Sequence, residues 1–342
     1  MHETQARRGV RRGAAVLLAM VLALSLGWQR TWADEGRQLI PVGKAVGIKL
    51  FADGALVVGL SEGDPCPAKD CGLKEGDLIL SMGDTKITST EQVRALLQDN
   101  GCEPLVMTVR RSSRTLTVTA VPVQGVDGAW QLGAWIRDSM AGIGTMTYYD
   151  PDSGAFGALG HGITDVDTAK LMPLASGSIM ETTVKAVKKG TAGEAGELRG
   201  DFDLTGDLGD LYANTNSGIF GTLSPCELTE QMGQALPVAE PDEVHTGPAT
   251  IRSNVDGDAV RAYDIEILKV SAGASDGREL LISVTDPELI DATGGIVQGM
   301  SGSPILQDGK FVGAVTHVLL NDPTKGYGIL LDTMLSAAQN NA

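Results

Sequence analysis

Gly299-Met300-Ser301-Gly302-Ser303-Pro304 sets one serine between glycines and leads into the apolar pair Ile305-Leu306. Glycines allow the backbone to turn sharply and allow the carbonyl group of a bound molecule to approach it closely. In such a turn the N–H groups of Gly299 and Ser301 can point at one spot and form an oxyanion hole. The pattern is typical of a nucleophilic serine, although a Gly/Ser hairpin loop has the same composition. The residues that accompany Ser301 must decide between the two.

Four histidines are available as a base for this serine: His2, His161, His245 and His317. His2 lies in the N-terminal leader, and His245 lies in a polar, turn-rich segment that predicts a solvent-exposed side chain. His161 sits between two glycines at the end of a strand-like run, which leaves its ring approachable, as a general base requires. His317 lies on the strand-like segment after the serine, where a structural role is more common. We therefore predict His161 as the base and keep His317 as the alternative.

A serine–histidine pair needs a third group that orients the imidazole and stabilises its charged form. Asp286 is the first choice, because it ends the apolar segment 280–285 just before a proline and a strand end holds a carboxylate rigidly. Asp291, in a softer segment, is one alternative, and Asp165 or Asp167, shortly after His161, are others. Each of these acids is also consistent with a solvated loop residue.

The composition favours a β-rich protein with a buried core. The chain has 342 residues, which suggests about two domains, with 42% hydrophobic and 20% charged residues. Its 44 glycines and 4% aromatics favour short strands and many turns. A net charge of −16 makes nucleic acid a poor partner. The chemistry predicted here needs no metal and no organic cofactor.

One acidic segment, residues 201–207, begins like a calcium-binding loop. Tyr212 stands where such a loop carries its bidentate glutamate, and helical patterns are missing on either side. We predict an acidic β-loop at this place and no metal site.

The N-terminus predicts export. Residues 1–33 hold five Arg and one acid, the uncharged run Gly13–Gly27 follows the basic start, and Thr31-Trp32-Ala33 offers a cleavage site. The run is short for a membrane-spanning helix, so we predict a signal peptide, with a retained membrane anchor as the alternative.

Export makes a disulfide possible. Cys66 and Cys71 flank a short loop, which is consistent with a local disulfide after export and also with free thiols. None of the four cysteines, which include Cys102 and Cys226, has a catalytic context.

Residues 42–124 predict a small β-rich module. Two strand-like runs meet at the turn Asp53-Gly54, and Thr88-Ser89-Thr90-Glu91 looks like the capped start of a helix that Asn100-Gly101 ends. With the run "GLKEGDLIL" (72–80), this order resembles a PDZ domain. The resemblance implies a carboxylate-binding loop at Ala45-Val46-Gly47-Ile48, beside which a peptide strand can add. The alternative is a PDZ fold that serves as a spacer or internal brake, with an empty groove.

Residues 129–342 read as many short, glycine-rich strands, which predicts a barrel or sandwich. The runs "FGALGHGITD" (156–165), "NTNSGIFG" (214–221), "TDPELIDATGGIVQGMSGSPI" (285–305) and "HVLLNDPTKGYG" (317–328) together resemble the stage IV sporulation protein B serine peptidases. The resemblance implies a triad of His161, Asp286 and Ser301. It also implies a mainly β protein in which a signal or anchor and a PDZ domain precede a chymotrypsin-like double β-barrel.

Two features depart from the ordinary chymotrypsin pattern. Asp286 lies only 15 residues before Ser301, which makes it the least secure member of the triad. Met300 replaces the aspartate that normally precedes the nucleophile, so activation should not follow the usual zymogen route.

The same resemblance implies an exported serine endopeptidase of sporulation, acting in the space between mother cell and forespore, membrane-anchored or released. It would cleave itself between Trp32 and Lys44. It would also cleave a membrane-bound regulator, which releases an intramembrane protease and so activates a late sigma factor. One rival hypothesis is a non-catalytic PDZ-bearing peptide-binding scaffold. A weaker rival is a metal hydrolase that uses His161 and His317.

Overall fold

The structure, a computed structural model, describes residues 36–225, 229, 232–274 and 277–341. The predicted signal or anchor, residues 1–33, and Cys226 lie outside the described residues. No helix within the described ranges has both the length and the apolar character needed to span a bilayer.

Twenty strands and four helices make up the described part of the chain. The first group is β1 (Gln38–Pro41), β2 (Ala45–Leu60), α1 (Pro67–Asp70), β3 (Leu78–Met82), β4 (Thr85–Lys86), α2 (Thr90–Asn100), β5 (Leu105–Arg111), β6 (Arg114–Ala120), β7 (Val123–Gln124) and β8 (Trp130–Gln131). The second group is β9 (Ala134–Tyr149), β10 (Ala155–Ala158), β11 (Ser176–Lys188), β12 (Glu197–Thr215), β13 (Gly218–Leu223) and β14 (Leu236–Pro237). The third group is β15 (Gly247–Ser253), β16 (Arg261–Val270), β17 (Leu280–Val284), α3 (Pro287–Thr293), β18 (Pro304–Gln307), β19 (Lys310–Val318), β20 (Lys325–Leu330) and α4 (Leu331–Gln339).

Six antiparallel strands, β2 and β9 to β13, close into a first barrel. Strand β9 pairs with β10, β10 with β13, β13 with β12, and β12 with β11. Strand β2 then pairs with both β11 and β9, which closes the circle. The interior is filled by large apolar side chains such as Met146, Phe156 and Ile179, none of which is exposed.

The second barrel is closed in the order β15-β16-β17-β20-β19-β18. Along β16 the side chains of Tyr263, Ile265 and Ile267 are buried while their neighbours are exposed, the period-2 pattern of a strand with one wet face. Met300, next to the predicted nucleophile, is fully buried in this core. The predicted mainly β fold with a double barrel is confirmed.

Helix α4 buries its apolar side against both barrels, because its residues share a cluster with Phe220 of β13 and Phe311 of β19. This helix follows β20 directly and is the last element of the described chain.

The predicted PDZ module folds around a separate apolar cluster, which includes Ile79, Val93, Leu97 and Met107. Strands β3, β5 and β6 extend from the second half of β2, and α2 covers the sheet. Helix α2 begins where the sequence indicated. The Ser89 side chain accepts a hydrogen bond from the Gln92 N–H at 3.1 Å, and Gly101 ends the helix at a φ of 62°.

The predicted carboxylate-binding loop at Ala45-Val46-Gly47-Ile48 is wrong. These residues form the start of β2, inside the first barrel; Ala45 pairs with β9, and Val46, Gly47 and Ile48 pair with β9 on one side and β11 on the other. With its N–H and C=O groups committed to two neighbouring strands, this segment has no free edge for a terminal carboxylate or a peptide strand. The turn expected at Asp53-Gly54 is absorbed within the single strand β2.

Of the two states that the sequence left open for Cys66 and Cys71, the structure has the free thiols. Cys66 is buried, and its Sγ lies 3.4 Å from the carbonyl oxygen of Gly133. Burial raises the pKa of the Cys71 thiol, which makes the reactive thiolate scarcer.

Candidate active site

Ser301 lies on a turn that enters the second barrel just before β18. Gly299 and Gly302 both have a φ of 97°, a conformation that favours glycine. At Gly302 a side chain is excluded twice over, because a Cβ there would lie 2.1 Å from the carbonyl oxygen of Thr145 in the first barrel. The turn therefore needs its glycines both for shape and for close contact with the other barrel.

Two N–H groups of this turn are held in place without being used. The carbonyl of Gln298 accepts a hydrogen bond from Leu198 N–H at 2.8 Å, and the carbonyl of Met300 accepts one from Ser303 N–H at 3.0 Å. In a planar trans peptide the N–H points opposite to its carbonyl, so the N–H groups of Gly299 and Ser301 point away from these partners. Neither N–H has an acceptor within the described part of the chain. Both are therefore available to a ligand oxygen.

His161 follows β10, on the first barrel. It comes directly after Leu159 and Gly160, whose φ angles of 69° and 68° turn the chain out of the strand. Its Nδ1 lies 2.9 Å from the carbonyl oxygen of Gly162. Because a carbonyl only accepts, the neutral ring carries its proton on Nδ1 and leaves Nε2 as an acceptor. Burial lowers the pKa of His161, and the hydrogen bond to Gly162 acts in the opposite direction.

One cavity of about 490 Å³ brings the two predicted residues together, since it is lined by His161 from the first barrel and Ser301 from the second. The Ser301 hydroxyl donates to the carbonyl oxygen of Thr316 at 2.7 Å. To react, this hydroxyl must leave Thr316 and turn toward the imidazole. The other lining side chains are mainly apolar, and they include Ile48, Met140, Ile143, Ile163, Ile296 and Val297.

His317, the alternative base, lines the same cavity. Its ring centroid lies 5.1 Å from that of His161, with 38° between the ring planes. The residue is exposed, whereas His161 is half-buried. The structure therefore places both histidines beside Ser301 and gives the more enclosed position to His161.

The first-choice acid, Asp286, is engaged away from His161. The carboxylate of Asp286 caps α3 and accepts N–H groups of Glu288, Leu289 and Asp264 at 2.9, 3.1 and 3.2 Å. Asp291 is exposed on the same helix. Within the described ranges Asp286 makes no hydrogen bond to His161 and does not line the cavity.

The alternative acids near His161 form ion pairs with an arginine side chain. Asp165 is fully buried and pairs with Arg137, which also holds Asp167 at 2.9 Å. Neither acid hydrogen-bonds to His161 among the described residues. In this structure the group that orients the imidazole is the backbone carbonyl of Gly162.

Sequence reasoning missed Thr145, a buried residue of β9 that ties the two halves of the site together. Its Oγ1 donates to the Gly299 carbonyl at 2.7 Å, and its N–H donates to the Ser301 carbonyl at 3.0 Å. Its own carbonyl accepts the Leu159 N–H, two residues before His161, at 3.2 Å. A lone threonine in a glycine-rich strand gives no sequence signal for such a role.

Asn214 was quoted in a motif without a role, and the structure supplies one. Its Oδ1 accepts the Ile163 N–H, and its Nδ2 donates to the carbonyls of Ile163 and Met172, each at 2.9 Å. The side chain therefore satisfies the backbone of the loop that follows His161 and fixes its course.

The structure also shows where the candidate metal-binding residues lie. Residues 201–207 lie within β12 and pair with β11, so this segment is part of a strand and is not a free loop. Among the described residues no three His, Cys, Asp or Glu side chains gather in a way that could hold a metal ion. His245, predicted to be exposed, is exposed; its Nε2 lies 2.8 Å from the Asp308 carboxylate, and it does not line the cavity that contains Ser301.

Comparisons with known proteins give the following matches. The family model described as SpoIVB peptidase S55 matches residues 128–335, and a PDZ domain model matches residues 60–111. Among solved structures, the PDZ domain of the SdrC-like protein from Listeria monocytogenes is 17% identical over 25% of this chain and 87% of that chain, with a TM-score of 0.23. The active form of the Rv3671c protease from M. tuberculosis is 13% identical over 59% of this chain and 75% of that chain, with a TM-score of 0.33. Its inactive form is 14% identical over 58% and 84%, with a TM-score of 0.30. The comparison with curated proteins gave no match.

Proposed function

Because this chain belongs to the SpoIVB peptidase S55 family, we propose that Ser301 is its nucleophile and His161 its general base. The chain is a serine peptidase with a PDZ domain, and proteins or peptides are its substrates. One observation carries the residue assignment: Ser301, His161 and the two uncommitted N–H groups of Gly299 and Ser301 meet at a single cavity between the barrels.

The reaction follows from this geometry. Ser301 Oγ leaves the Thr316 carbonyl and attacks the carbonyl carbon of the substrate, while Nε2 of His161 takes the hydroxyl proton. The carbonyl oxygen becomes an oxyanion and accepts hydrogen bonds from the N–H groups of Gly299 and Ser301. His161 returns the proton to the leaving amine, which produces an acyl-enzyme. A water molecule then repeats the sequence and releases the acid.

The apolar walls of the cavity give a preference. Ile48, Ile143 and Ile163 line the same cavity as Ser301. A substrate with an apolar side chain next to the scissile bond therefore binds more tightly, because that side chain is buried there. Asp286 as the third member of the triad stays a prediction from the resemblance. In this structure its carboxylate caps the start of α3, and the Asp286→Ala variant distinguishes the two roles.

Family membership also supports a finer proposal. The chain is exported and acts in the space between mother cell and forespore. It cleaves itself between Trp32 and Lys44, and it cleaves a membrane-bound regulator whose loss starts intramembrane proteolysis and late sigma-factor activation. Mass mapping of fragments over time, from the full chain and from Ser301→Ala, tests self-cleavage. The proposal requires a wild-type cut between Trp32 and Lys44 that Ser301→Ala lacks.

Labelling with a serine-directed fluorophosphonate tests the nucleophile. The wild-type chain should carry one label on the peptide that contains Ser301, and Ser301→Ala should carry none. The matched control is Ser303→Ala, two residues away, whose buried hydroxyl donates a hydrogen bond to Ser253 Oγ at 3.1 Å. This variant should still label at Ser301. A wild-type chain that does not label, but remains folded, would support the non-catalytic scaffold instead.

A further inference from the structure

The free edge of the PDZ sheet is taken by the chain itself. In the second half of β2, Leu56 pairs with Leu78 of β3 on one side. On its other side, residues 56–60 pair with residues 134–137, the first residues of β9. The start of β9 is thus added to β2 as an extra antiparallel strand.

The same segment is fastened to helix α2 at both ends. At the first turn of α2, the Thr90 N–H donates to the Asp138 carboxylate at 2.8 Å. Near the last turn, the Gln98 side chain donates to the Trp130 carbonyl at 2.9 Å and accepts the Trp130 N–H at 3.0 Å. Residues 130–138 therefore run the length of the helix, from its end back to its start.

Alternate side chains of this segment face the module's core. Leu132 is buried, and Ala134 and Ile136 are half-buried against the cluster that contains Val93 of α2. Trp135, between them, is 69% exposed. PDZ domains take a peptide as an extended strand added to a sheet edge, and a carboxylate is favourable at a helix start. Residues 130–138 combine both features.

We propose that residues 130–138 are a built-in ligand of the groove between β2 and α2, and that an external peptide occupies this groove only by displacing them. The partner that fits is an extended peptide with apolar side chains at alternate positions and a carboxylate at the end that meets Thr90. Because the built-in segment is tethered, it competes at an effective concentration of the order of millimolar. A free peptide at micromolar concentration is therefore excluded. This inference does not depend on the peptidase reaction, and it is tested without it.

The test uses the full chain carrying Ser301→Ala, which keeps it intact, and a fluorescein-labelled peptide with the sequence of residues 130–138. In a second protein the built-in segment is weakened by Ile136→Ser and Asp138→Ala, which leave the groove unchanged. The matched control is Asp84→Ala, an exposed acid in the turn between β3 and β4. Fluorescence anisotropy should show the probe binding at least tenfold more tightly to the weakened protein than to its parent or to the control.

Equal binding to parent and weakened protein would overturn the proposal, because the groove would then be open from the start. Absence of binding to the folded, weakened protein up to millimolar probe would overturn it as well. Hydrogen exchange on the parent alone gives a second test that needs no destabilised variant. The amides of residues 134–137 should exchange faster than those of the closed second barrel. Exchange of 134–137 only at the rate of the second barrel would show a permanent strand and refute a releasable ligand.

Discussion

Replacing Thr145 by valine removes one hydrogen bond at the nucleophile turn and little else. Valine keeps the β-branched shape, and the backbone bonds of residue 145 to Ser301 and Leu159 remain possible. What disappears is the 2.7 Å bond from Oγ1 to the carbonyl of Gly299. That carbonyl belongs to the peptide between Gly299 and Met300, next to both proposed oxyanion donors.

The expected size follows from the cost of a buried polar group that loses its partner. An unsatisfied carbonyl costs about 1–3 kcal/mol. If the turn relaxes to recover that energy, its N–H groups move off the oxyanion, and the cost appears in the transition state. Each 1.36 kcal/mol corresponds to tenfold in rate, so kcat should fall roughly 5- to 150-fold. Binding of the substrate ground state changes less, so KM should move by less than about threefold.

The assay is the steady-state rate on a peptide substrate, with thermal unfolding measured alongside. Thr147→Val is the matched control, because Thr147 lies two residues further along β9, is fully buried, and its Oγ1 has no hydrogen-bond partner among the described residues. Its replacement should leave kcat unchanged and stability equal or higher. Thr145→Ser keeps the donor and should restore most of kcat. Unchanged kcat in Thr145→Val, or an equal loss in Thr147→Val, would refute the role of Thr145.

Three further predictions concern the imidazoles and the cap. Because burial lowers the pKa of His161, the base stays neutral below the usual imidazole range, and kcat/KM should begin to fall only below about pH 6.5; a pH–rate profile with its acid limb above 7 would contradict this. His161→Gln should abolish fluorophosphonate labelling, whereas His317→Gln should slow it by less than about tenfold, and a reversed order would make His317 the base. Asp286→Ala should lower the free energy of unfolding by about 1 kcal/mol as a lost helix cap, with kcat within about tenfold of wild type. A kcat loss of about 10⁴ at unchanged stability would instead establish Asp286 in the triad.

The sequence predicts well what depends on local pattern. The capped helix α2 and the alternating strand β16 follow from residue types within a few positions of each other. The sequence also singles out Ser301 and His161, because glycine-flanked polar residues at strand ends are unusual enough to stand out, and both residues line one cavity.

What the sequence could not supply is the identity of long-range partners. Period-2 alternation identifies β2 as a strand but does not say which strands flank it, so its first half was assigned to the wrong module. By sequence, Asp286 is a carboxylate at a strand end near the serine. The same Asp-Pro pair also begins a helix, and two N–H groups of that helix, with a third from Asp264 on β16, bind its carboxylate. Thr145 acts through two carbonyls more than 150 residues away, which no local pattern encodes.

Strand β2 has a consequence for how this protein can be divided. The first half of β2 is the sixth strand of the first barrel, although it precedes the PDZ module in the chain. A fragment cut at the apparent domain border, beginning near residue 129, would leave β9 and β11 with bare facing edges and Ile48 missing from the wall beside the nucleophile. Removal of the residues before Gln38 leaves this strand in place. Cleavage of the chain anywhere from residue 61 to residue 129 would leave β2 attached to the rest of the barrel only by non-covalent contacts. The PDZ module is therefore an insertion within the first barrel, and truncation from either end of the chain cannot remove it without removing part of that barrel.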